Sequence, residues 1–200
     1  MKKDVINKLD IYKLKTSEEL LKYYQDWTDK NKYNKDMVDW NYTAPQETVS
    51  VLRKYTLNKN SKILDAGCGT GLVGIELKKY NYSNIEGVDF SQSMLDLIPQ
   101  NIYQKIEKID LNKPLIFKNN IYDVVMCVGT FTYGHVKPHA LDEIIRITKN
   151  KGLICFTINE GIYEEYGFDK KIKELTNNKL WNVKEFFKSD YITTKDVEAW

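Results

Sequence analysis

The segment Asp65-Ala66-Gly67-Cys68-Gly69-Thr70-Gly71 sets an acid before three glycines at alternate positions. Glycine lacks a Cβ, so this loop can turn at positive φ and let a ligand lie against bare backbone. An apolar pair, Ile63-Leu64, leads into it, and Leu72-Val73-Gly74-Ile75-Glu76-Leu77 follows with apolar spacing that suits a helix. The free N–H groups of a helix N-terminus attract a negative group. A second acid, Asp89, ends the next apolar run, twenty-four residues after Asp65. Its carboxylate can accept two hydrogen bonds from a ribose diol, so loop and acid together predict a nucleoside site. The spacing is not the dinucleotide fingerprint G-x-G-x-x-G. Asp65 would repel a pyrophosphate and suits a ligand that carries an ammonium group.

These residues need a frame. From Lys62 onward the pattern alternates strands, expected at 62–66, 85–89, 105–109, 122–128, 152–158 and 180–187, with helices at 71–80, 92–98, 138–148 and 162–175. Such alternation implies an α/β fold, Rossmann-like and doubly wound, with a mostly parallel sheet. Ligands in these sheets bind at the carboxyl ends of the strands. That rule gathers Asp65, Gly67, Asp89, Asp110 and Gly129, from different segments, along one edge. Residues 1–60 read as helical: Thr16-x-x-Glu19 is a capping box, and Pro45 suits the first turn of a further helix. The expected organisation is a helical lid over 1–60 and a ligand-binding core over 61–200, one domain overall.

After the fourth strand comes Val128-Gly129-Thr130-Phe131-Thr132-Tyr133-Gly134-His135. His135 is one of only two histidines and is suited to proton transfer near neutral pH. Aromatic residues crowd the N-terminal part as Tyr24-x-x-Trp27, Tyr33 and Trp40-x-Tyr42. They read as a cover for the open strand tips.

Composition excludes several classes. The net charge is +2 and the only arginines are Arg53 and Arg146, so a dedicated nucleic-acid binder is not expected. The three cysteines, Cys68, Cys127 and Cys155, form no C-x-x-C pair, which argues against a zinc site or a disulfide framework. No metal-ligand cluster stands out. No apolar run reaches membrane-spanning length, and Met1-Lys2-Lys3-Asp4 does not open a signal peptide. A reduced, cytoplasmic setting is expected.

The loop D-A-G-C-G-T-G resembles motif I of the class I S-adenosylmethionine (SAM)-dependent methyltransferases, of the form D-x-G-x-G-x-G. The order Tyr-x-x-Trp, Tyr, Tyr-x-Ala-Pro, then the glycine loop, then Gly134-His135 is similar to a smaller group. That group is the methyltransferase-like family of the Williams–Beuren syndrome region and its bacterial relatives, over about residues 20–160. The resemblance implies SAM as cofactor, S-adenosylhomocysteine as product and a small-molecule methyl acceptor. By it, Gly67, Cys68, Gly69 and Gly71 form the cradle, and Asp65 faces the ligand's amino group. Asp89 holds the ribose beside Phe90, and Asp110 accepts from the adenine amino group. Leu111 and Met94 flank the ring, Val128 closes the strand tip, and Tyr33 and Trp27 cover the methionine end. His135 and Tyr133 are the candidate catalytic residues. The alternative is a non-catalytic SAM-binding scaffold or regulatory protein. Two departures stand out: Thr28 replaces a small residue after the Trp, and the chain stops at Trp200, so the superfamily's seventh, antiparallel strand is expected to be incomplete.

Overall fold

In a computed structural model, the described residues are 14, 16–192 and 197–199. Residues 1–13, part of the expected lid, lie outside them. Five strands form one parallel sheet: β1 (Ile63–Ala66), β2 (Ile85–Asp89), β3 (Lys105–Lys108), β4 (Tyr122–Phe131) and β5 (Thr148–Ile158). Their order is β3-β2-β1-β4-β5, so the strand order reverses beside β1. Ile63, Leu64 and Ala66 of β1 are fully buried, as are Val125, Met126 and Cys127 of β4. Both strands are covered on both faces, which explains their continuous apolar runs.

Helices cover the two faces. After three short N-terminal elements, α1 (Ser17–Thr28), a 3₁₀ turn (Asp29–Asn31) and α2 (Lys32–Asp39), come α3 (Ala44–Tyr55), α4 (Leu72–Lys79) and α5 (Gln92–Leu95). α6 (Ala140–Ile147), α7 (Glu160–Tyr163) and α8 (Phe168–Asn177) follow. One core gathers Val49, Leu52, Leu77 and Tyr82 from α3, α4 and the turn after it against β1, β2 and β4. The other packs Leu141 and Ile144 of α6 and Phe168 of α8 against the opposite face. The capping box forms as the spacing predicts: Glu19 N–H donates to Thr16 Oγ1 at 3.1 Å, and Thr16 N–H to Glu19 Oε2 at 3.1 Å.

Two expectations are corrected. Residues 180–187 form no strand; their apolar groups are half-exposed, and Trp181 stacks on Phe156 with ring centroids 5.8 Å apart instead of entering a ladder. The expected helix over 162–175 is two helices, broken at Gly167, whose φ is +79°. The C-terminal strands β6 (Ser189–Ile192) and β7 (Val197–Ala199) pair antiparallel with each other in a separate two-stranded sheet, not on the main one. That small sheet meets the N-terminal helices. Ile192 bridges Tyr42, and Thr43 N–H donates to the Tyr191 carbonyl at 2.9 Å.

Candidate active site

Parallel register sets the tips of β1, β2 and β4 side by side. Asp65 pairs with Gly87 across one edge of β1 and with Met126 across the other. The loop leaving β1 is anchored twice. Gly67 and Cys68 N–H groups donate to the Val88 carbonyl at 2.8 and 2.9 Å. Gly69 N–H donates to Asp89 Oδ2 at 2.8 Å, while Ser91 N–H donates to Asp89 Oδ1 at 2.8 Å. Gly67, Gly69 and Gly71 have φ of +81°, +52° and +89°. At Gly67 a Cβ would collide with the Thr130 side chain, so the turn requires glycine on two counts.

A cavity opens over these tips. Gly67, Cys68, Gly69, Asp89, Phe90, Met94, Asp110, Leu111, Val128, Tyr33 and His135 line it, all singled out by the sequence. Leu20, Tyr24, Tyr42, Thr130 and Asn112 line it as well. Tyr24 and Tyr42 belong to the aromatic cover; Thr130 and Asn112 carried no signal, because loop side chains that close a cavity have no periodicity.

Four expected site residues lie elsewhere. Gly71 is the N-cap of α4 and contacts the Tyr103 ring. Trp27 turns into the N-terminal core with Leu20 and Met37, its Nε1–H donating to Asp36 Oδ2 at 2.6 Å. Tyr133 points away, its ring 6.0 Å from that of Tyr166 and its hydroxyl where a Cβ on Gly161 would sit. Asp65 is wholly buried beneath the loop. Its Oδ2 accepts from the Tyr103 hydroxyl at 2.5 Å, and its Oδ1 has no hydrogen-bond partner.

The electrostatics follow from burial. Burial pushes the Asp65 carboxyl up to about 7; the Tyr103 hydrogen bond opposes this, neighbouring Asp89 adds to it, and the Gly74 amide opposes it. Burial also raises Asp89, against the amides of Ser91, Gly69 and Phe90. His135 is half-buried in the cavity wall, and desolvation there pushes it down to about 4, with the Tyr133 carbonyl opposing the shift and Lys137 adding to it. Its Nδ1 lies 2.5 Å from the Tyr133 carbonyl oxygen, so Nδ1 carries the proton. The Nε2 lone pair then accepts from the Tyr24 hydroxyl. α2 reaches the loop too: Thr70 Oγ1–H donates to Asn34 Oδ1 at 2.6 Å. No lysine or arginine lines the cavity among the described residues; its charged groups are Asp89 and Asp110.

The fold agrees with comparisons to known proteins. Residues 63–152 match a family described as a methyltransferase domain. Human methyltransferase-like protein 27 is 33% identical over 141 residues, which cover 68% of this chain and 56% of that protein. A ribosomal protein L11 methyltransferase of Thermotoga neapolitana is 24% identical over 146 residues, 72% of this chain and 52% of that one. The chain thus spans about half the length of the curated relatives it matches. Among solved structures, the complex of the Haloferax volcanii Trm112 methyltransferase activator with a methyltransferase matches with a TM-score of 0.64. That match is 18% identical and covers 84% of this chain and 79% of the other, a likeness of fold. In motif, in family match and in fold, this chain resembles the class I SAM-dependent methyltransferases, with methyltransferase-like protein 27 among its relatives.

Proposed function

We propose that this chain is a SAM-dependent methyltransferase acting on a small nucleophile without a negative charge. The observation that carries the proposal is the loop Gly67–Gly69 strapped to Asp89, over a buried Asp65 whose Oδ1 lacks a partner. A buried carboxylate with no cation beside it is costly, and the positive charge of an ammonium-bearing nucleoside bound on the loop above offsets that cost. When bound, SAM supplies an electrophilic methyl group on a sulfonium.

The chain's own residues then bind, orient and exclude water. Asp89 retains acceptor capacity for a ribose diol beyond its two amide bonds. Met94, Ile109 and Leu111 offer apolar walls for a ring, with Asp110 at its rim. Residues 1–60 act as the lid and 61–200 as the core. Tyr24, Tyr33 and Tyr42 roof the cavity, which favours orientation and a dry site. Among the described residues the lining holds Asp89 and Asp110 and no lysine or arginine, so an uncharged acceptor suits it better than a phosphorylated or carboxylated one.

His135 is neutral, but its Nε2 lone pair is taken by the Tyr24 hydroxyl and its burial opposes the imidazolium. A general base works best with a pKa near the operating pH. The site therefore favours a neutral nitrogen, which needs no deprotonation before attack, over a hydroxyl.

Calorimetry with SAM and with S-adenosylhomocysteine tests the cofactor, with micromolar binding of both expected. Binding of neither sinks the proposal. A small-molecule panel scored by S-adenosylhomocysteine release then tests the acceptor, and turnover confined to acidic substrates would overturn the charge argument.

A further inference from the structure

Tyr103 lies between α5 and β3, in a segment without sequence signal. Its ring occupies a slot made by three glycines on two elements, Gly71 and Gly74 of α4 and Gly87 of β2. A Cβ on Gly74 would sit 2.5 Å from its Cζ, one on Gly87 3.2 Å from its ring, and one on Gly71 3.3 Å. The packing fixes the ring and leaves its hydroxyl one target, Asp65 Oδ2 at 2.5 Å. Asp65 is 0% exposed. The groups that face it are Tyr103 from the β3 approach, Asp89 from the β2 tip, Cys68 from the loop, Cys127 from β4, Tyr42 from the N-terminal segment and the Gly74 amide of α4. None is a cation. A buried carboxylate without a cationic partner is strongly disfavoured, and the missing partner can come with a ligand.

We propose that Tyr103 is a positioning residue that sets the ligand preference of the site: by holding Asp65 Oδ2, it keeps a carboxylate beneath the glycine loop whose negative charge draws the ammonium of the ligand's amino-acid end to the loop above. The proposal rests on the cofactor reading above. Tyr103 touches no ligand itself. It lowers the cost of an ionised Asp65 and fixes its rotamer, so selection falls on the charged end of the ligand and not on its adenosine.

Two probes separate these ends. S-adenosylhomocysteine carries the α-ammonium; 5′-methylthioadenosine shares the adenosine and thioether but has no amino acid. Tyr103→Phe keeps the ring in its slot and removes one hydrogen bond. Calorimetry of the whole chain should show it binding S-adenosylhomocysteine about tenfold more weakly than wild type at pH 7.5, the loss expected for one hydrogen bond to a charged group. Its affinity for methylthioadenosine should stay within about twofold, because a uniform contact is unaffected. Asp65→Asn should show the same ligand-selective loss. In wild type, affinity for S-adenosylhomocysteine should fall as the pH drops through about 7. In Tyr103→Phe that fall should come at higher pH, since the hydrogen bond that eases ionisation is gone. Equal weakening toward both probes, or no weakening, overturns the role of Tyr103 and leaves the cofactor reading standing. Binding of neither probe by wild type overturns the cofactor reading, and this inference with it.

Discussion

At the scale of single residues, the site is a set of acids held at different costs. Asp89 is satisfied by two backbone amides, so it works as a strut as well as a ligand group. Asp89→Ala should weaken S-adenosylhomocysteine binding and also lower unfolding free energy by about 1–3 kcal/mol, because the amides lose their acceptor. Asp65 and His135 bias stability with pH in opposite directions. The raised Asp65 gives the folded state an extra proton between about pH 4 and 7, so its contribution is favourable at low pH and is lost as the pH rises toward 7. The lowered His135 gives the unfolded state the extra proton, so stability is present above about 6.5 and lost as the pH falls toward 4. Denaturant titrations should find Asp65→Asn more stable than wild type at pH 8, with the gain closing toward pH 4. Proton NMR should show the His135 ring still neutral at pH 5.5. A His135 midpoint near 6.5 would contradict the pairing with Tyr24.

The motif residues were legible because their types are constrained: positive φ selects Gly67 and Gly69, and a strand tip selects Asp89. Tyr103 was not, because nothing in a linear pattern reports that Gly71, Gly74 and Gly87 empty a common slot. Trp27 was misplaced for a related reason. An aromatic residue near a site by spacing can turn either way, and Asp36 and Met37 drew it inward.

At the scale of elements, periodicity was enough for the five parallel strands. It failed at 180–187, where Val183, Phe186 and Phe187 mimic a strand but remain about half-exposed. Ladder partners are a tertiary property that local alternation does not encode. The N-terminal helices form their own small cluster around Leu20, Trp27 and Met37. Tyr24 to His135 and Asn34 to Thr70 bond it to the core, and Leu72 of α4 packs against it. Trp27→Ala should remove about 3–5 kcal/mol from that cluster. Limited proteolysis should then cut within residues 17–39 while the sheet stays protected. Cleavage spread evenly through the sheet would mean that helices and core unfold as one unit.

At the scale of the whole molecule, one cavity joins the tips of β1, β2 and β4 to the N-terminal helices. Ligand binding should therefore stabilise the whole chain. S-adenosylhomocysteine at a hundredfold excess over its Kd should raise the melting temperature by about 5–10 °C. A calorimetric scan that shifts only a minor early transition would confine the ligand's effect to the helices.

The bridge between Tyr42 and Ile192 joins residues 150 positions apart, and Ser189 Oγ–H donates to Glu47 close by. The parallel sheet needs nothing beyond Ile158 to pair its strands. The foot of the N-terminal helices needs residues 189–192. On the ribosome, β1 to β5 can zip together as they emerge, and the cavity's floor with them. Its roof gains the Tyr42 fastening only once Ile192 has cleared the exit tunnel. A growing chain thus holds a floored cavity whose roof lacks its last hinge pin.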